Sequence, residues 1–401
     1  MPNDCVDVVI VGAGPAGSAA ALELCRQGLS VALLDKARFP RDKICGDFLT
    51  PGSVGLLREL GGGEVEAESP CTLRGMRMTF EGYEVLSEFP AARHGWSLSR
   101  RKLDAVLARR AAAAGANLVE EFRVTDFGAD LDTGARWVEG SHPDGTRRRF
   151  RARLVIEAGG RHGLIGRRLG WRVDDPRLVR YALWSHMEGV RDLGDRGEMH
   201  IFEEGYVGVA VLDHETGLAN VTMALTSARW ERARGHVQEN FLDLLRRHPA
   251  LGRRFRGARL ASAVRGLGPL ACRSHRLAAD RIAMVGDAGG FIDPFTGEGV
   301  FIALSGARML ARAVAREGIE SPEALASYER EFRATFASKF RLCRLLQRMI
   351  ARPWLARHVA RALSSRKDLA DRMVGTTGDL LPASSVLNPL YLGRLLIAGM
   401  L

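Results

Sequence analysis

Lysine is scarce in this basic chain. Only five of its 58 lysine and arginine residues are lysines, which leaves 53 arginines, and the formal net charge is +11. Such a balance is compatible with nucleic acid, an anionic membrane or an acidic carrier protein as a partner. No pattern typical of nucleic-acid-binding modules occurs in the sequence. The strong preference for arginine over lysine reflects the general composition of the source and does not indicate phosphate binding. The sequence therefore predicts no nucleic-acid partner.

Paired cysteines and long apolar runs are also missing. The six cysteines form no C-x-x-C and no cysteine–histidine pair at zinc spacing, so neither a disulfide framework nor a metal site is predicted. No run of 18 apolar residues occurs, and the N-terminus lacks the basic start of a signal peptide. We expect a cytoplasmic protein, at most peripheral to the inner face of the membrane. Nothing in the sequence predicts its oligomeric state.

The chain begins with the pattern of a dinucleotide-binding turn. Apolar residues 8–11 predict a buried strand, Gly12, Gly14 and Gly17 have the G-x-G-x-x-G spacing, and an alanine-rich helix follows. These glycines allow a tight bend, approach of a pyrophosphate and packing of helix on strand. The helix N-terminus offers free N–H groups to phosphates. A second strand ends in Asp35, where a ribose hydroxyl would find an acceptor.

The Rossmann pattern is interrupted after Asp35. A polar loop follows, and residues 53–60 and 74–89 predict a helix and a strand that belong to a second lobe. A helix and a strand between 103 and 120 resume the parallel sheet. Antiparallel hairpins are predicted between 122 and 150, and a separate buried strand at 154–156.

A second lobe is predicted between residues 171 and 265. Four strands of mixed polarity, the first at 180–188, are followed by a helix at 237–247. This is typical of an antiparallel sheet with one face toward a pocket. The chain then returns to a glycine-rich strand end, where Gly286 and Asp287 follow a short strand and a long helix begins near Gly299. Asp287 would accept hydrogen bonds from polyol hydroxyls, and the helix N-terminus would direct its positive end at an electron-rich ring.

Four segments together resemble FAD-dependent oxidoreductases of the geranylgeranyl reductase, flavin halogenase and p-hydroxybenzoate hydroxylase type. They are GAGPAG with Asp35, FPRDKICGDFLTP, the arginine of LSRRKLD, which is Arg100, and GDAGGFIDPFTGEGV. The resemblance implies FAD, with the ADP half on the first motif, Arg100 along the phosphates and Asp287 at the ribitol. The FAD-binding residues that the resemblance implies are Gly12, Gly14, Pro15, Ala16, Gly17, Asp35, Lys36, Lys43, Cys45, Gly46, Arg100, Gly159, Gly286, Asp287, Ala288, Pro294, Gly297, Glu298 and Gly299.

The same resemblance implies an α/β fold. Residues 1–45, 97–170 and 265–320 would form a Rossmann-like FAD-binding domain of the glutathione reductase type. Residues 46–96 and 171–264 would form an inserted antiparallel β-sheet domain for the substrate, and residues 321–401 a C-terminal helical region.

The likeness is closest to geranylgeranyl reductases, whose K-x-C-G appears as Lys43, Cys45 and Gly46. In that group the cysteine lies near the flavin ring, so Cys45, Gly46 and Tyr206 are the predicted catalytic positions. A free cysteine is also often a small buried hydrophobic residue, and that alternative stays open for Cys45.

The chain departs from each family in at least one motif. The reductases' Y-x-W-x-F-P pattern reads YVGVAV from Tyr206, and the hydroxylases' D-G and G-D-A-x-H read EAGG and GDAGG. The halogenases' W-x-W-x-I-P does not occur in the sequence. The motifs therefore do not specify an isoprenoid tail, and halogenation ranks low.

The leading hypothesis is hydride transfer from reduced FAD to a C=C bond of a lipophilic small molecule, with NADPH or NADH as a transient electron donor. The alternative is an NAD(P)H-dependent monooxygenase, a hydroxylase or epoxidase of a secondary metabolite. A third hypothesis is a flavoprotein that docks an acidic carrier protein.

Residues 339–366 mix apolar side chains with arginines. This is the composition of a basic amphipathic helix at a membrane surface. It is also typical of a helix that covers the catalytic lobes with its arginines in solvent, and the sequence leaves both open. The closing residues 387–401 are apolar but too short to span a membrane.

Overall fold

The structure is a computed structural model that describes residues 3–61, 63–130 and 132–400. The part up to residue 174 contains β1 (Asn3–Val11), α1 (Pro15–Arg26), β2 (Val31–Leu34), β3 (Phe48–Leu49), α2 (Pro51–Gly61), α3 (Glu64–Ala67), β4 (Cys71–Leu73), β5 (Gly75–Phe80), β6 (Tyr83–Glu88), β7 (Gly95–Ser97), α4 (Arg100–Ala113), β8 (Asn117–Val119), β9 (Arg123–Ala129), β10 (Arg136–Ser141), β11 (Arg147–Glu157), α5 (Leu164–Arg168) and β12 (Arg172–Asp174).

The remaining elements begin at residue 180. They are β13 (Arg180–Glu188), β14 (Arg196–Phe202), β15 (Gly205–Asp213), β16 (Leu218–Thr226), α6 (Ser227–Ala233), α7 (Val237–Arg247), β17 (Arg259–Leu260), β18 (Arg265–Leu267), β19 (Cys272–Ser274), β20 (Ala278–Ala279), β21 (Ile282–Met284), β22 (Gly290–Phe291), α8 (Gly299–Glu317), α9 (Pro322–Ile350), α10 (Pro353–Ser365), α11 (Lys367–Thr377) and α12 (Pro389–Met400).

The first sheet has the strand order β20-β21-β11-β1-β2-β8, and β9 and β10 extend it as an antiparallel hairpin beside β11. The pairs from β21 to β8 are parallel. Val8, Val9 and Ile10 at its centre are completely buried, and burial of each such side chain stabilises the fold by about 1.5–3 kcal/mol. Helix α1 packs against α4 and α8. The predicted α/β fold is confirmed.

One strand differs from the prediction. The hairpin ending at 150 and the buried strand at 154–156 form a single strand, β11, which pairs with β1 from Arg149 to Glu157. Its first half alternates exposed or half-buried arginines with the buried Phe150 and Ala152, whereas its last four residues are all buried. The change of pattern therefore marks where the strand enters the core, and the backbone continues through it.

The second sheet has the order β17-β13-β16-β15-β14-β5-β6, with β18 also paired to β13. It is antiparallel except between β14 and β5, which run parallel. This sheet therefore contains β5 and β6, which come before α4 and β8 in the sequence, and β13 to β18, which come after β11. The domain boundaries given above remain predictions.

In the described part of the chain, four α-helices follow α8. Residues 339–366 form the end of α9 and all of α10, because Pro353 starts a new helix and cannot continue the previous one. Helix α10 packs against β6, α9 and α12, and α11 packs against β6. Within the described ranges, no helix is long and apolar enough to cross a membrane.

Candidate active site

A cavity of about 920 Å³ extends from the β1–α1 turn to the C-terminal helices. One end is polar and is lined by the glycine-rich segments, the loop around Cys45 and the start of α4. The other end is apolar and is lined by β5, β6, α9, α10 and α11. The cavity therefore joins the first sheet to the second sheet and its helical cover.

Two positions of the β1–α1 turn require glycine. Gly12 has φ +106°, and a Cβ built there would lie 2.5 Å from the carbonyl oxygen of Ala158. A Cβ at Gly17 would lie 1.8 Å from the carbonyl oxygen of Gly12. Gly14 caps α1 without a side-chain hydrogen bond, and Pro15 begins the helix. The N–H groups of the first helical turn therefore remain available to an anion in the cavity.

Two arginines converge on this turn. The Arg41 and Arg100 guanidinium groups each come within 3.8 Å of a Cβ built at Gly14. Arg100 binds Asp104 through two hydrogen bonds of 2.6 and 2.9 Å, and Arg41 contacts the same carboxylate at 3.0 Å. Asp104 thus holds both cations beside the helix N-terminus, where a pyrophosphate would lie.

Asp35 is held at the end of β2 by backbone groups. Its carboxylate accepts hydrogen bonds from the N–H groups of Ala13 and Ala37, each at 2.9 Å. Arg41 also contacts it, at 3.3 Å. The carboxylate therefore connects the first glycine-rich turn to the polar loop that follows β2.

Lys43 and Asp287 face the cavity, and neither side chain hydrogen-bonds another described residue. Burial and the Arg100 charge lower the pKa of Lys43, and Asp287 opposes this change. Burial raises the pKa of Asp287, and Lys43 opposes that change. A donor and an acceptor without protein partners at the cavity wall fit a polyhydroxylated ligand.

The Cys45 loop is attached to the second sheet. The Cys45 carbonyl oxygen accepts hydrogen bonds from Asn220 Nδ2 at 2.8 Å and Thr222 Oγ1 at 3.3 Å. Asp47 follows two residues after Cys45 with φ +52°, and its Oδ2 atom is 2.8 Å from Asn220 Nδ2 and 2.7 Å from His186 Nε2. Side chains of β13 and β16 therefore fix the position of Cys45. Burial raises the pKa of its thiol, which stays protonated at neutral pH.

Asn220→Ala is expected to loosen this loop. Removal of the amide takes one hydrogen-bond donor from the Cys45 carbonyl oxygen and from the Asp47 carboxylate. This loss destabilises the loop by about 1–3 kcal/mol. Alkylation of Cys45 by iodoacetamide, followed by peptide mass spectrometry of the FAD-loaded enzyme, should accelerate about tenfold or more. Asn240→Ala on the outer helix α7 is the matched control. An unchanged rate in Asn220→Ala would contradict the role given to Asn220.

Tyr206 is buried in the cavity wall on β15. Its hydroxyl donates a hydrogen bond to Asp293, and the Arg180 guanidinium lies 5.7 Å from its ring centroid. Burial and Asp293 raise the pKa of Tyr206, so the phenol remains protonated. Asp293 Oδ1 also accepts a hydrogen bond of 3.0 Å from the N–H of Phe295. The tyrosine thus supports the loop at the start of the 294–299 segment.

The apolar end of the cavity is a chamber between sheet and helices. Its wall includes Met76, Met78, Phe80, Val85, Phe89, Ile201, Leu346, Met349, Ala356, Val359, Ala360, Leu363 and Met373. Val85 and Met78 pack in one hydrophobic cluster with the α9–α11 side chains. The chamber is therefore suited to a lipophilic molecule.

Most sequence-predicted site residues line this cavity. They are Gly12, Gly14, Pro15, Ala16, Asp35, Lys36, Lys43, Cys45, Gly46, Arg100, Gly159, Tyr206, Gly286, Asp287, Pro294, Gly297 and Gly299. Gly17 and Ala288 lie behind the wall, and Glu298 binds Lys339 at 2.7 Å. Arg41, Asp47, Asn220 and Thr222 are absent from the prediction. Arg41 and Asp47 lie beside Lys43 and Cys45 in the segment FPRDKICGDFLTP, so their position in that motif could have predicted them. No feature of the sequence predicts that Asn220 contacts this loop.

Comparison with known proteins agrees with this geometry. A protein-family model described as FAD binding domain matches residues 5–340. Menaquinone reductase of Mycobacterium tuberculosis is 39% identical over 173 residues, which cover 42% of this chain and 41% of that protein. The match therefore spans about two fifths of the relative's own length.

Other relatives match over longer stretches. Digeranylgeranylglycerophospholipid reductase 1 of Methanothermobacter thermautotrophicus is 29% identical over 338 residues, covering 81% of each chain. The flavin-dependent halogenase armH3 of Armillaria mellea is 26% identical over 338 residues, covering 77% of this chain and 67% of the halogenase. The crystal structure of a flavoprotein/dehydrogenase from Cytophaga hutchinsonii superposes with a TM-score of 0.85 at 21% identity, covering 99% and 98% of the two chains, and shows the shared fold.

Proposed function

The chain belongs to the FAD binding domain family and is an FAD-dependent oxidoreductase, and we propose that it reduces a C=C bond of a lipophilic small molecule. The observation that carries this proposal is the cavity, which continues from the polar cofactor end into an apolar chamber. A substrate with an apolar body would fill the chamber and present its reactive carbon near Cys45. When bound, FAD supplies the hydride that such a reduction needs.

The polar end fits FAD by several independent features. Gly12 and Gly14 clear the approach to the first turn of α1, and Arg41 and Arg100 would neutralise the pyrophosphate. Asp35 and Asp287 are acceptors suited to the ribose and ribitol hydroxyls. The first turn of α8, at Gly299, would direct N–H groups toward the flavin pyrimidine.

We assign Cys45 as the residue that holds the proton for the substrate carbon. It lines the cavity as a neutral thiol, and its backbone is fixed by Asn220 and Thr222. Tyr206 is assigned to positioning, because its hydroxyl already donates to Asp293. The general-acid role requires only that a protonated group lie within reach of the carbon that accepts hydride.

NADPH or NADH is proposed as the electron donor. The sequence carries one G-x-G-x-x-G turn after a strand, and in the proposal the FAD adenosine occupies it. A nicotinamide would therefore bind transiently at the open cavity and leave before the substrate reacts.

Anaerobic turnover tests the proposal. The holoenzyme is mixed with NADPH or NADH without oxygen, and with menaquinone or an unsaturated isoprenoid glycerophospholipid, the compound classes named for the two reductase relatives. We expect the flavin absorbance to bleach with the donor and recover with the substrate, and the product to gain two hydrogens. A strict requirement for oxygen would overturn the reductase proposal in favour of a monooxygenase.

The halogenase relatives give a second candidate. Armillaria halogenases match across most of this chain, although their identities are about as low as that of the archaeal reductase. The same assay with oxygen and bromide or chloride separates the two, because a halogenase forms a product whose mass includes the halogen. Such a product would replace the reductase proposal.

A further inference from the structure

Exposed apolar side chains are concentrated at the C-terminal helices. Of the ten large hydrophobic side chains exposed in the described residues, seven follow residue 344. They are Leu345, Trp354, Leu390, Leu392, Leu396, Ile397 and Met400. We call the six on α10 and α12 the apolar patch. Trp354 is 69% exposed, Leu390 74% and Met400 75%. A grouped set of this kind marks an interaction surface, whereas single exposed side chains do not.

The patch lies on two helices that pack against each other. His358 on α10 contacts the Leu396 carbonyl oxygen on α12 at 3.0 Å, and a Cβ at Gly399 would lie 2.3 Å from the His358 ring. Trp354 precedes His358 by one helical turn and so lies on the same face. On α12, Tyr391, Leu395 and Ala398 are buried while the intervening leucines are exposed. Both helices therefore present apolar side chains outward from one junction.

Cations outnumber acids around the patch, although Arg357 on α10 pairs with Glu81 and Arg394 on α12 pairs with Asp368. Between Glu331 and Asp368 the sequence contains ten lysines and arginines and no acidic residue. The exposed Arg344, Arg348 and Arg352 form no ion pair with a described carboxylate. After Asp379 the only charged side chain is Arg394. A short apolar helix with arginines at its border is typical of a segment that lies in the interface of an anionic bilayer.

We propose that α10 and α12 seat the protein on an anionic phospholipid bilayer, with the apolar patch among the acyl chains and the arginines at the headgroups. The opposite face of α10 lines the cavity with Ala356, Val359 and Leu363. We further infer, on the basis of the proposed function, that a lipophilic substrate enters the cavity from the bilayer beside α10. Helix α10 would then lie between the bilayer and the chamber.

Vesicle binding tests the surface. The full-length holoenzyme is sedimented with phosphatidylglycerol–phosphatidylcholine vesicles, and the tryptophan fluorescence is quenched with brominated lipids. We expect binding, and we expect Trp354→Phe to bind normally but lose most of the quenching. Trp96, Trp171 and Trp184 are buried, and the half-buried Trp137 and Trp230 lie on β10 and α6, outside the patch. Quenching that persists in Trp354→Phe would place the contact elsewhere and overturn the proposal.

Two sets of variants separate apolar from charge contributions. Leu390→Gln and Ile397→Gln should each weaken vesicle binding by about tenfold. Val173→Gln, an exposed valine on β12, is the matched control and should change nothing. If high salt abolished vesicle binding while the two patch variants bound normally, charge alone would attract the protein to the membrane. That result would overturn the insertion of the apolar patch. A dimer that Ile397→Gln dissociates, without vesicle binding, would show that a second copy covers the patch.

Activity distinguishes this proposal from the function it assumes. Leu390→Gln should retain turnover of a detergent-dispersed substrate and lose turnover of the same substrate embedded in vesicles. Equal loss in both media would contradict the entry from the bilayer. Absence of turnover by the unaltered enzyme in either medium would instead reject the proposed function and leave the lipid contact to be judged by sedimentation and quenching.

Discussion

Gly12→Ala should yield a folded protein that purifies without FAD. The new methyl group would lie 2.5 Å from the Ala158 carbonyl oxygen, between two strands that are fixed by the sheet. Overpacking costs about 1–3 kcal/mol, and an alanine in a left-handed conformation about 1–2 kcal/mol more. The turn can relieve this strain only by moving away from the loop after β11, which deforms the surface for the pyrophosphate. We therefore expect FAD affinity to fall about a hundredfold.

The ratio of flavin to protein absorbance measures this loss, and far-ultraviolet circular dichroism reports whether the variant is folded. Gly28→Ala is the matched control, because Gly28 also has a positive φ, +81°, but no atom lies within 4 Å of its added Cβ. It should lose stability and keep FAD. Retention of FAD by Gly12→Ala at the level of this control would contradict the assignment of the turn.

Lys339→Met should be the most destabilising of these substitutions. Lys339 Nζ lies 2.7 Å from Glu298 and 2.5 Å from Asp379, and both carboxylates are buried. Removal of the ammonium group leaves two buried acids close together without a cation, and breaking such a pair costs about 3–5 kcal/mol. Urea unfolding measures the loss. Lys367→Met removes an exposed pair with Asp371 and should cost less than about 1 kcal/mol. Similar losses in the two variants would contradict the structural role of Lys339.

The same cluster predicts a pH dependence. Burial raises the pKa of Asp379 to about 7 from an ordinary 3.8, although the Lys339 charge opposes this change. Between these values the folded state retains a proton that the unfolded state has released. The free energy of unfolding therefore decreases as the pH rises through this window. Asp379→Asn removes that contribution, so its urea midpoint should fall less between pH 5 and pH 7 than that of the unaltered protein. An equal decrease of the urea midpoint in the two proteins would contradict the contribution assigned to Asp379.

The sequence predicts the elements with strong local patterns. The helix Val237–Arg247 has the predicted bounds, and so does the strand Arg180–Glu188. The helix has a clear amphipathic periodicity, with Phe241 and Leu245 on its buried face. Strand β11 was divided in the prediction because its first half exposes arginines and its last residues are buried on both sides. Periodicity detects a change of surroundings, and it cannot distinguish that change from a break in the strand.

The candidate site follows the same rule. Glycine spacing around Gly12 and Gly286 is local, so the sequence can predict the cofactor end of the cavity. Asp47 and Asn220 are 173 residues apart in the sequence, and they meet because the Cys45 loop lies against strand β16. Spacing carries no information on such a pair. The amphipathic pattern of 339–366 predicts two faces, but it cannot show that one of them forms the wall of a chamber.

The cavity has its two ends in different parts of the chain. The end suited to FAD is built almost entirely from residues 11–300, whereas Leu346, Met349, Val359 and Leu363 in the far wall belong to helices near the C-terminus. Substitutions in that wall can reshape the chamber without touching the glycine-rich turns or the paired arginines. Selection for a new substrate could therefore act on the last helices while the redox machinery stays unchanged, which makes this architecture well suited to diversification.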